Sequence, residues 1–147
     1  MDILNTEGQV IYSYEGELRE VDLDSVNLEG AVLEGLVLDG VGWGDINLQR
    51  ANLKGTNFYM AFLYQANFSE ANLAEAILQG ADLVGANLQN ANLKDANLSL
   101  SKIGTPTKLY GRIFVVPKLK ELVSLVPLTI RSQCFQMASI RLSTRCC

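Results

Sequence analysis

Histidine is absent from this 147-residue chain. That removes the commonest general base and the commonest metal ligand together. Cysteine is scarce and placed at one end: Cys134, Cys146 and Cys147 lie near the C-terminus and cannot staple the body of the chain. A reducing, cytoplasmic setting is the expectation. The terminal Cys pair lacks the spacing of a zinc site, and "RCC" matches a prenylated cysteine pair only in outline. The start, "MDILNTEGQVIYSY", has neither a basic opening nor a long apolar run, so neither a signal peptide nor a membrane span is expected. There is no Gly-rich phosphate loop after a strand and no Ser/His/Asp set. The reading is therefore of a non-enzyme without cofactor or metal.

What is present is an apolar fraction of 48%, enough for one domain with a core. Charge is unevenly spread. Residues 1–45 hold eleven acids and one base, a net of −10, whereas residues 101–147 hold one acid and eight bases, a net of +7. The middle is close to neutral, and the whole sums to −4.

The dominant feature is a period of five. Its centres are Leu23, Leu28, Leu33, Leu38, Trp43, Leu48, Leu53, Phe58, Leu63, Phe68, Leu73, Leu78, Leu83, Leu88, Leu93, Leu98 and Ile103, every one large and apolar. Two residues before each centre stands a small or apolar residue, from Val21 and Val26 through Ala31 and Leu36 to Ala96 and Ser101. The remaining columns are mostly Asn, Asp, Glu, Gln, Lys, Ser and Gly. On an α-helix, such a period would smear the leucines around the cylinder. On a straight strand, it would send successive centres to opposite faces. A short extended piece followed by a corner, repeated, satisfies both columns. Coils of this kind bury the centres and stack edge to edge, as in a solenoid.

Units such as "ANLKG", "ANFSE", "ADLVG", "ANLQN" and "ANLKD" resemble the pentapeptide repeat, A-(D/N)-L-X-X, in seventeen consecutive units. The resemblance implies an all-β, right-handed quadrilateral parallel β-helix with four repeats per coil. That gives about four coils here, a rod roughly 20 Å tall. It also implies small bacterial and cyanobacterial relatives, some of them regulators acting through partner binding.

The expected organisation is a cap over residues 1–20, the β-helix over 21–105 and a basic segment over 106–147. "QVIYSY" reads as a strand covering the first coil edge, and "GELRE" keeps the phase with Leu18. "AVLEG", "LVLDG" and "VGWGD" lack the Asn/Asp and carry bulkier inward residues, which predicts wider early coils. After "SKIGT" the phase fails, because continuing it would put Lys108 in the core and Pro106 cannot donate to the ladder. "KLKELVSLV" (118–126) has a helical apolar face ended by Pro127. A capping helix and a disordered tail both stand open for 106–147, and so sharp a break in composition also arises from a frameshift.

On the surface, Asp22, Asp24, Asp45 and Asp82 share one side and read as a solvated acidic face rather than a cation site. Glu34 and Lys54 read as stacked neighbours. Tyr59, Met60, Phe62 and Tyr64 gather at one corner at outward positions, a candidate protein-binding patch. A second reading has the rings lying over Gly42 and Gly44, one coil earlier in the same columns. Trp43 reads as core.

Three functional readings follow. The first is a non-catalytic protein-interaction or regulatory module whose partner is another protein, with no direct nucleic-acid binding. The second comes from the resemblance: some family members bind DNA gyrase as acidic rods that imitate duplex phosphates. Here the acid is concentrated at one end and the C-terminal segment is basic, which disfavours it. The third is head-to-tail self-association of the acidic end with the basic end.

Overall fold

The computed structural model describes residues 1–109. The expectations for residues 110–147, including the helix at 118–126 and the cysteines, lie outside the described residues. Over the described part the backbone winds as a rectangular coil. Bridging pairs from Asn27–Asn47 through Ile77–Asn97 are all parallel and twenty residues apart. Five residues therefore make one side and four sides one coil. Each side pairs with the same side of the next coil: the Asn67 N–H donates to the Ile46 carbonyl at 2.8 Å, and the Phe68 N–H to the Asn87 carbonyl at 2.8 Å.

The corners explain the period. From Ser25 to Asp95, every fifth residue has a positive φ, between 55° and 74°. The preceding residue does not, and an i to i+3 bond closes the turn, as from Ala71 N–H to the Phe68 carbonyl at 3.0 Å. These are the features of a type II turn. Glycine takes six of these fifteen corners, and nine are left to residues such as Arg50, Glu70 and Asp95. A left-handed backbone costs such residues about 1–2 kcal/mol each. Stacking therefore holds the corner more than local preference does.

The Asn/Asp column has a double role. The Asn67 side-chain oxygen accepts the Ser69 N–H at 3.2 Å, an Asx turn that starts the bend. The same bond type recurs at Asp22, Asn27, Asn47, Asn57, Asn87 and Asn97. Amides also stack into ladders between coils, Asn47 to Asn27, Asn67 to Asn47 and Asn87 to Asn67, at 2.7–3.2 Å. A second ladder joins Asn92, Asn72 and Asn52.

Inside, all sixteen centres from Leu23 to Leu98 are buried, and the alanines from Ala51 to Ala96 with them. The core is broadest where aromatics replace leucine. Trp43 meets Phe58 edge-on at 6.2 Å between centroids, and Phe58 meets Phe68 at 6.4 Å. Thr56 stands in the alanine column, and its hydroxyl donates to the Leu33 carbonyl at 2.8 Å, which satisfies its burial.

At the N-terminus, β1 (Asp2–Leu4) and β2 (Val10–Ser13) form an antiparallel hairpin. β2 lies within "QVIYSY"; β1 has no counterpart in the sequence reading. The hairpin docks by its first strand, since the Leu4 carbonyl accepts the Val32 N–H at 2.8 Å. Ile3 is buried, and Ile11, Tyr12 and Tyr14 pack on the core beside it. Leu18 is buried on a single 3-10 turn, Leu18–Glu20, that leads into the first coil.

One expectation is corrected where the repeat ends: Ile103, counted as the seventeenth centre, is 76% exposed. The phase fails after it, and Lys108 stays out of the core. The segment Ser101–Pro106 leaves the coil as a loop, tied by the Thr105 N–H to the Ser101 hydroxyl at 2.9 Å. The chain then re-enters register: Lys108 pairs with Asp82 at a separation of 26 residues instead of 20. Thr107 and Leu109 are buried in the small-residue and centre columns. Thr107 donates to the Leu78 carbonyl at 2.7 Å, repeating the bond of Thr56. The excursion keeps Lys108 outside because it shifts the phase by the one unit and one residue that put Leu109 inward. Leu36, in an inward column, is 39% exposed, because the coil before it is absent on that side.

Candidate protein-binding surface

Tyr59, Met60, Phe62 and Tyr64 span one corner of the stack, with Phe62 and Tyr64 on the side whose centre is Leu63. Outward direction follows from the coil: Phe58, Ala61 and Leu63 point in and are fully buried. The four outward side chains are not equivalent. Tyr59 and Met60 are half-buried. Met60 lies over a glycine of the next coil: a Cβ built on Gly80 would fall 2.5 Å from the Met60 Sδ. Tyr64 lies over a glycine of the previous coil, where a Cβ on Gly44 would fall 2.1 Å from the Tyr64 Cζ. These two side chains cover bare backbone.

Tyr64 is held further by charge. Its hydroxyl donates to the Asp24 carboxylate at 3.4 Å, and the other Asp24 oxygen accepts the Gly44 N–H at 2.6 Å. The negative charge of Asp24 raises the Tyr64 phenol pKa above its usual value, with smaller contributions from desolvation, from the hydrogen bond and from Asp45 and Asp22.

Phe62 is different. It is 54% exposed, and nothing lies within 4 Å of where a Cβ on Gly42 would stand. The ring therefore does not cover the glycine of its own column. On the other flank sits Asp82, paired with the Lys108 ammonium at 2.7 Å. An apolar ring thus stands between bare backbone and an ion pair on a rigid sheet side.

Some other exposed charged groups pair locally. Arg50 forms an ion pair with Glu29, whose hydrogen bond and charge raise the arginine pKa. Lys54 meets Glu75 at 3.4 Å, not Glu34, whose carboxylate accepts the Asn52 amide at 2.8 Å. Such surface pairs contribute little to stability. Among the described residues, no group of three or more His, Cys, Asp or Glu is placed to hold a metal ion, and no helix is long and apolar enough to cross a membrane.

Comparison with known proteins agrees with the coil. The family model for pentapeptide repeats matches residues 43–69 and 66–103, in eight copies. Among solved structures, the cyanobacterial HetL of Nostoc, a pentapeptide repeat protein involved in heterocyst differentiation regulation, is 36% identical with a TM-score of 0.49, over 52% of this chain and 38% of that one. Rfr23 of the cyanobacterium Cyanothece is 37% identical with a TM-score of 0.47, over 48% of each chain. A pentapeptide repeat protein of the Arabidopsis thaliana thylakoid lumen is 26% identical with a TM-score of 0.49, over 70% of this chain and 80% of that one. This chain spans less than half the length of the first two. No curated protein matches it. With a repeat that matches the family model over residues 43–103 and a coil of four five-residue sides, the described part of the chain is built of pentapeptide repeats and has their fold, a right-handed quadrilateral β-helix.

Proposed function

We propose that this solenoid is a non-catalytic protein-binding module, and that Phe62 is the anchor of its binding surface. One observation carries the reading: Phe62 is a large aromatic, more than half exposed, that leaves the glycine of its own column uncovered, at the middle of the stack. Tyr59, Met60 and Tyr64 complete the patch and set its shape. Buried aromatic anchors contribute most of the affinity at many interfaces. A stiff surface loses little conformational entropy on binding. The open strip beside Gly42 is a shelf for the partner's backbone or a small side chain.

The test separates anchoring from fold maintenance. Phe62→Ser leaves the core untouched and is expected to abolish capture of the partner from the native host while preserving the circular-dichroism spectrum. Tyr64→Ser uncovers Gly44 and is expected to lower the melting temperature. Equal capture by wild type and Phe62→Ser refutes the anchor.

A further inference from the structure

The first coil leaves one of its sides unfinished. Within the stack, the middle residue of each side turns both backbone groups toward the coil before it. Asn57 donates to the Leu36 carbonyl at 2.9 Å, and its carbonyl accepts the Leu38 N–H at 2.8 Å. Val37 is the same residue one coil earlier, and neither of its backbone groups has a partner among the described residues. β1 protects the preceding side through Val32 and goes no further. The Val37 side chain is 61% exposed, and Leu36 beside it is also open. Asn27 and Gly42 expose unpaired backbone too, but without an apolar side chain. Among the described residues of the first coil, the Leu36–Leu38 side combines an open hydrogen-bonding edge with exposed apolar groups, the two components of a strand-addition site.

The flanking charge restricts what fits there. Glu34 and Asp39 are exposed at the two corners of this side, and residues 1–45 carry a net −10. Two such ends repel each other, which disfavours symmetric pairing of first coils. The fitting strand is extended, apolar and flanked by bases. The sequence carries a stretch of that composition, rich in β-branched and aromatic residues: Arg112, Ile113, Phe114, Val115 and Val116, followed by Lys118 and Lys120. It cannot serve its own first coil. Leu109 lies at the far end of the stack, about four coil spacings or roughly 20 Å away along the axis. The four residues from Leu109 to Ile113 reach about 14 Å at full extension.

The geometry points to strand addition between copies, with residues 112–116 of one chain pairing along the open Val37 edge of the next. Such a contact is heterologous, so it propagates into short filaments unless it closes into a ring. It uses a different surface from Phe62 and stands independently of the function proposed above.

Complementation of the full-length chain tests it. Val37→Pro removes the edge donor, and Val37→Asp adds charge to the edge without altering its backbone. Phe114→Asp spoils the added strand. Sedimentation velocity is expected to show concentration-dependent oligomers for wild type at low salt, weakened at least tenfold by either edge variant and by Phe114→Asp. An equimolar mixture of Val37→Asp and Phe114→Asp is expected to form a heterodimer and stop there, since each supplies one intact half. Emission from Trp43 checks that each variant is folded. A wild type that stays monomeric at high concentration overturns the proposal, whether or not the Val37 amide is protected from exchange. So do oligomers that ignore both edge variants, or a mixture that fails to associate.

Discussion

Trp43 takes a position that its column otherwise gives to leucine or phenylalanine, and it does so fully buried. Its indole N–H has no hydrogen-bond partner among the described residues. A buried donor left unpaired costs about 1–3 kcal/mol. The ring offsets this through area and through its edge contact with Phe58. Trp43→Phe keeps the aromatic contact and removes the orphan donor, at the expense of a small void. The two effects nearly cancel, and chemical denaturation is expected to move by less than about 1 kcal/mol. A loss above about 3 kcal/mol would mean that the indole N–H is satisfied, for instance by buried water.

The neighbouring acidic cluster makes a pH prediction. Tyr64 is more readily kept neutral in the folded chain than in the unfolded one, because Asp24 repels the phenolate. A raised folded-state pKa stabilises the fold fully below the unfolded value of about 10, and that contribution is lost as pH rises through the folded value. In a carbon-labelled tyrosine titration, Tyr64 is expected to ionise above the ordinary tyrosine value. Asp24→Asn is expected to bring it down, since the amide still accepts the Gly44 N–H without the charge. An unchanged Tyr64 titration in that variant contradicts the assignment of cause.

At the scale of the element, the corner is the unit that makes a coil. Gly35 and Gly42 are a controlled pair: neither has an atom within 4 Å of an added Cβ, but only Gly35 has a positive φ. Gly35→Ala incurs the left-handed penalty of about 1–2 kcal/mol and regains about 0.4–1 kcal/mol from a stiffer unfolded chain. A net loss of about 1 kcal/mol is expected. Gly42→Ala is expected to be neutral or slightly stabilising. Equal losses would mean that packing, not φ, governs these sites.

How far the coil was legible follows from its parts. The leucine and alanine columns announced both the period and the inward faces, because each residue type there is selected by burial. The corner was only half written: glycine at 30, 35, 40 and 55 hints at a positive φ, while Arg50, Met60 and Glu70 adopt it without any local sign. The Asn column looked merely polar, since a hydrogen bond to the residue two ahead and another twenty away leaves no trace in composition. β1 was hidden because three residues carry no pattern. Of the four candidate surface residues, the covering roles of Met60 and Tyr64 depend on glycines one coil away on opposite sides, Gly80 and Gly44, and only the second was read in sequence. The open edge did carry a signal, valine at 32 and 37 where later coils place asparagine at every position but Ile77.

Over the described residues the molecule is a stack whose first part is acidic, and the sequence from 101 onward is basic. Its stability is a sum over stacked neighbours rather than a single central cluster. The loop at Ser101–Pro106 tests this. Deleting those six residues joins Leu100 directly to Thr107, so that "TKLYG" follows "ANLSL" in unbroken phase. The shortened chain is expected to keep its circular-dichroism spectrum and to change little in melting temperature. Collapse of the fold would show that the loop itself secures the final coil, through Ser101 and Thr105 beside Gly80.

That loop also says how the molecule keeps count. Lys108 finds the place due to residue 102 because Asp82 and Leu78 lie waiting for it and its neighbour, not because the intervening chain has the right length. Address in the stack is assigned by the coil below. A corner can therefore serve as a port where extra sequence is carried outward on the surface of the rod, acquired or lost without renumbering anything inside.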